Sequence, residues 1–127
     1  MTDMDQAIEL TLPAKRDYGL VARMAISGIG MLADLDVDLI ADLRTVTDEC
    51  LDCLTHQPFV PKRIAVRAWV HEKRLFCRFS ALERECAQKA EALDLDIARG
   101  VLETLMPEVR LTTDEGGVAC IECSMPV

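Results

Sequence analysis

From Ala7 to Leu12 polar and apolar residues alternate, with Ile8, Leu10 and Leu12 on one face. This is the pattern of a half-buried strand, and Pro13 ends it. Ala14 to about Ala33 then reads as a helix. Leu20, Val21, Met24, Ile26, Ile29, Met31 and Leu32 surround most of it, and Arg16, Arg23, Ser27, Gly30 and Asp34 leave only a narrow polar line. A helix so apolar must cover more than one surface, which makes its spare face a candidate partner surface. Asp36 or Asp38 can cap a second helix that runs to about His56. Leu43, Val46, Cys50, Cys53 and Leu54 form its core stripe, and Arg44, Asp48 and Asp52 line another face. Pro58 and Pro61 end it.

Beyond these prolines, Arg63–Val70 and Arg74–Phe79 alternate around His71-Glu72-Lys73 and predict a hairpin. Ser80–Ala92 is charged and helix-prone, and Leu95–Met106 is an amphipathic helix stopped near Pro107. Val109–Thr113 and Val118–Cys123 predict a last hairpin around Asp114-Glu115-Gly116-Gly117. The order is β-α-α-β-β-α-α-β-β. Strands that arrive as hairpins argue against a doubly wound parallel sheet and for an α+β sheet with helices on one face.

At 127 residues the chain is expected to be a single domain, residues 1–127, large enough to bury a core without staples. A net charge of −8 argues against nucleic acid, whose binders carry a basic stripe, and against an anionic membrane surface. The start, MTDMDQ, shows no secretory pattern, so a cytoplasmic location is expected. The apolar run Leu20–Leu32 is interrupted by Arg23 and is too short to span a bilayer.

Six cysteines include two CxxC pairs, Cys50/Cys53 and Cys120/Cys123. One pair falls on a predicted core stripe and the other in a predicted strand, where residues three apart face opposite ways. No structural zinc site is expected, and the cysteines read as small buried hydrophobes. His56 falls at a helix end, where it can meet the last carbonyls, and His71 in a turn. Asp48 and Asp52, like charges four apart on one helix, either take a compensating divalent cation or basic partner or form a solvated acidic face with Arg44 nearby. The glycines form no phosphate loop.

The stretch LTLPAKRDYGLVARMAISGIGMLADLDVDLIADLRTVTDECLDCLTH resembles the start of bacterial anti-sigma-factor serine kinases, members of the GHKL ATPase superfamily. DLRTVTDECLDCLTH fits that family's second helix, DixlavsEaxtNAxxHa, without gaps from its second position to its histidine, which falls on His56. GVLETLMPEVRLTTDEGGVACIECSMP resembles its closing segment. The resemblance implies a two-layer α/β sandwich of the Bergerat type, with a mixed, mostly antiparallel sheet. It places Asp48 at the family's general base and Asp52 at its magnesium-ligating asparagine. Arg23 falls at the first-helix arginine that the family uses toward partners. The adenine-reading glycine box falls on FSALERE (79–85) and the second glycine box on Asp96-Ile97-Ala98, and neither keeps a glycine. The family's activity is ATP-dependent protein serine kinase. The altered boxes imply a chain deficient in ATP binding and catalysis, with no cofactor, and with Mg-ATP expected only if the nucleotide site survives. The implied partner is a regulatory protein, a sigma factor or an anti-anti-sigma-like protein, and a homodimer is also implied.

Overall fold

In the computed structural model, residues 6–86 and 94–127 are described. The strands are β1 (Ile8–Pro13), β2 (Phe59–Val60), β3 (Arg63–His71), β4 (Arg74–Leu82), β5 (Glu85–Cys86), β6 (Glu108–Asp114) and β7 (Gly117–Pro126). The helices are α1 (Gly19–Leu32), α2 (Val37–Thr55) and α3 (Leu95–Leu105). Five strands form one sheet in the order β1-β3-β4-β7-β6, antiparallel at every pairing, and β2 and β5 form a small second sheet. The α+β sandwich expected from the sequence is therefore what forms.

The helix-facing side of the sheet carries Ile64, Val66 and Ala68 from β3, Leu75, Cys77 and Phe79 from β4, and Ile121, Cys123 and Met125 from β7. Ile26 of α1, Leu43, Val46 and Leu54 of α2 and Leu102 of α3 close over them. The register shifts between Thr112 and Thr113, so Ala119 is left without an opposite residue and Val118 joins Ile121 in the core. On the other side, Glu9, Arg67, Arg78, Glu122 and Arg110 stand in one row across five strands. Arg78 bonds Glu122 at 2.8 Å and lies over Trp69, which stacks on Phe76. The two sheet faces thus differ sharply in polarity, which fixes the register.

Pro13 is tolerated because β1 is an edge strand. Asp36, of the two possible caps, accepts the Leu39 N–H at 2.8 Å. Three sequence readings are corrected. The first helix starts at Gly19, because Arg16–Tyr18 form a 3₁₀ turn. Ser80–Leu82 extend β4, and Glu85–Cys86 pair with Phe59–Val60, so the helix-prone charges there yield to strand pairing; the remainder of that predicted segment, 87–92, lies outside the described residues. Gly30 lies on the buried face of α1, not on its polar line. An ideal β-carbon there would meet Ile40 at 3.0 Å, so the missing side chain lets α1 approach α2 closely.

Candidate functional site

The end of β1, the 3₁₀ turn, α1 and the C-terminal half of α2 enclose an open cavity of about 570 Å³. Its floor is apolar, from Leu12, Leu51 and Ile64. Its walls carry Lys15, Arg16 and Arg23 on one side and Asp48, Asp52 and His56 on the other. The spacing of α2 explains the acidic wall: residues 48, 52 and 56 recur every four positions and share a face. All three residues singled out in the sequence, Arg23, Asp48 and Asp52, therefore border one cavity.

Arg23 Nη1 donates to Asp48 Oδ1 at 3.0 Å, with both side chains partly exposed at 37% and 46%. This contact between α1 and α2 spans 25 positions and was not foreseen from sequence. Arg23 of α1 thus offsets the Asp48 charge from within the chain, where the sequence suggested a divalent cation or a basic partner. His56 closes the helix as expected, with Nδ1 2.7 Å from the Asp52 carbonyl oxygen. Among the described residues, no group of three or more His, Cys, Asp or Glu is arranged to hold a metal ion.

The α1 face beside Arg23 is open. Leu20 is 57% exposed, Met24 67% and Met31 66%, while Ala22 and Ile26 are buried. A run of exposed large apolar side chains on one helix is the usual mark of a contact surface.

At the start of α3, where the resemblance places the second glycine box, the Asp94 side chain accepts the N–H groups of Asp96 and Ile97 at 2.9 and 3.3 Å. The helix N-terminus, otherwise suited to phosphate, is occupied by one carboxylate and joined by a second, Asp96, in its first turn. At the first box, Phe79 is fully buried in β4 and Arg84 pairs with Asp114. That pairing holds the Asp114 carboxyl below its usual range.

Cys50, Cys53, Cys77 and Cys123 are buried, Cys120 is half-buried and Cys86 exposed. Burial pushes the Cys50 and Cys53 thiols up and the Cys77 thiol to about 12. Their thiolate, the reactive form, is scarce at neutral pH. Sequence reasoning missed Gln57. It is 2% exposed and its Oε1 accepts the Val118 N–H at 3.3 Å, tying the end of α2 to β7.

No family model matches the chain. Curated proteins named serine-protein kinase RsbW do. That of Listeria monocytogenes serotype 4a is 29% identical over 91% of this chain and 85% of its own length, and that of Listeria innocua serovar 6a is similar to the same extent. The fold matches a crystal structure of the RsbU and RsbW domains of a Mycobacterium tuberculosis protein, with a TM-score of 0.65 and 17% identity over 95% of this chain. The match spans a third of that longer chain. The resemblance to the anti-sigma-factor serine kinases is therefore borne out, in sequence by the relatives and in fold by the solved structure. No described helix is long and apolar enough to cross a membrane.

Proposed function

We propose that this protein is an anti-sigma-factor-like regulator that acts by binding a protein partner through α1, with the nucleotide site out of use. The observation that carries this reading is the exposed apolar face of Leu20, Met24 and Met31 beside Arg23. Loss of nucleotide function is supported by the α3 N-terminus, where Asp94 and Asp96 stand in place of backbone open to phosphate. Phosphoryl transfer depends on positioning and on neutralising charge, so carboxylates at the phosphate position oppose it. The partner is a sigma factor or an anti-anti-sigma-like protein.

The test is biolayer interferometry of the purified chain against the sigma factors and anti-anti-sigma-like proteins of its source organism, with Arg23→Ala as the variant. Binding to one of them should weaken about thirtyfold in the variant, the loss of about 2 kcal/mol typical of an anchoring arginine. Absence of binding to all of them, or equal binding by the variant, overturns the reading.

A second reading is favoured by Asp48 and Asp52, which border one cavity as a base and a magnesium ligand would. In this kinase reading, Asp48 would accept the proton of a partner serine hydroxyl as its oxygen bonds the γ-phosphorus of ATP and ADP leaves, and Asp52 would hold magnesium through oxygen to neutralise phosphate charge. Arg23 opposes it, since its guanidinium already bonds one of the two Asp48 oxygens.

A further inference from the structure

The two residues to which the functional readings assign separate tasks, Arg23 and Asp48, are in contact with each other. Arg23 donates Nη1 to Asp48 Oδ1, so one of its N–H groups is already engaged by an anion. The group that matches the guanidinium fork best is an anionic one, a carboxylate or a phosphate. An anion that takes the Nη1 side of the fork competes there with Asp48. Lys15 and Arg16 line the same cavity and, with Arg23, outnumber its two carboxylates, Asp48 and Asp52, on a chain whose net charge is −8. Leu20 and Met24, exposed on α1 and next in sequence to the cavity-lining Gly19 and Arg23, supply apolar contact beside the anionic one.

We infer that Asp48 is an internal competitor at the partner surface: its carboxylate occupies Arg23 in the free protein and is displaced when the acidic group of a partner protein binds. Contact with the partner and release of Asp48 are then one event, and partner affinity is set below the value Arg23 alone would give. This inference rests on the reading of Arg23 as a partner contact and adds a regulatory role for Asp48.

The sign of a single substitution separates competition from support. If Asp48 merely held Arg23 in a binding rotamer, Asp48→Ala would weaken the partner. Under competition it tightens the partner. Exposed ion pairs are worth up to about 1 kcal/mol, so the gain is about two- to fivefold. The same partial exposure means the variant keeps its fold, which its thermal melt checks. Loss of one negative charge also attracts an acidic partner at long range, and a thermodynamic cycle removes that term. In an Arg23→Ala background, Asp48→Ala should leave partner affinity unchanged, whereas a long-range effect would persist there.

A second arm needs no protein partner. With inorganic phosphate as probe, the ¹⁵N–¹H signal of Arg23 Nε is followed by NMR in wild type and in Asp48→Ala. The midpoint for the variant should fall at a several-fold lower phosphate concentration. Equal midpoints, or an Arg23 signal that phosphate leaves in place in both proteins, overturn the inference. If the phosphate arm succeeds while partner binding is insensitive to Arg23, the competition stands and the proposed partner surface fails.

Discussion

Substituting Gly117 by alanine should cost far more than the same change at Gly28. Gly117 has φ of +106°, a conformation that side chains rarely adopt, and a residue held in such a region costs about 1–3 kcal/mol. An ideal β-carbon there would lie 2.4 Å from Gln57 Oε1 and 3.2 Å from Gln57 Cβ. Gln57 must therefore move. Its Oε1 then leaves the buried Val118 N–H unpaired, at a further cost of about 1–3 kcal/mol. A total loss of about 3 kcal/mol or more is expected, a large part of the 5–15 kcal/mol that holds a typical domain together. Gly28 lies mid-α1 with nothing within 4 Å of its would-be β-carbon. Alanine there should stabilise by up to about 1 kcal/mol through helix propensity alone. Urea unfolding followed by Trp69 fluorescence reports both, since the chain has one tryptophan and it stacks on Phe76 in the sheet. Destabilisation below about 1 kcal/mol at Gly117 would refute the reasoning, as would equal effects at the two glycines. Gln57→Ala in the Gly117→Ala background should cost less than it does alone, because both changes remove one hydrogen bond.

Three further outcomes follow from other parts of the fold. Glu72 and Lys73, at φ of 49° and 62°, form the β3–β4 turn without glycine, so Glu72→Asn with Lys73→Gly should stabilise by about 1 kcal/mol in a thermal melt. Arg78→Ala, which removes both bonds to Glu122 Oε1 and the contact over Trp69, should cost about 1–2 kcal/mol in urea, and lysine should recover only part of it. The buried Cys77 thiol has its folded pKa raised from 9.0 to about 12, so its contribution is complete below pH 9 and is lost as pH rises toward 12; urea midpoints should fall across that window, and less steeply in Cys77→Ala.

Most elements were legible in the sequence because their burial follows a single period. The α2 stripe of Leu43, Val46, Cys50, Cys53 and Leu54 is buried throughout, and both hairpins turn where their polar turn residues stand. The 3₁₀ turn at Arg16–Tyr18 and the continuation of β4 through Leu82 were not legible. Strand pairing with β3 there outweighs the helix propensity of a charged run. Of the candidate site, the family resemblance singled out Arg23, Asp48 and Asp52, which border one cavity, and the surplus of apolar positions on α1 pointed to its open face. The Arg23–Asp48 contact was not legible. It depends on how closely α1 and α2 approach, to which the close contact of Gly30 with Ile40 contributes, and it has no local signature. Gln57 was missed for the same reason, since its partner Val118 lies 61 positions away.

Thermal unfolding of the intact chain with and without millimolar Mg-ATP tests the central claim most directly, because any ligand that binds only the folded state must raise the melting temperature. With Asp94 and Asp96 at the α3 N-terminus and Arg23 holding Asp48, the melting temperature should stay unchanged. A saturable rise with Mg-ATP, abolished by Asp52→Ala, would contradict a regulator without a working nucleotide site and restore the kinase reading.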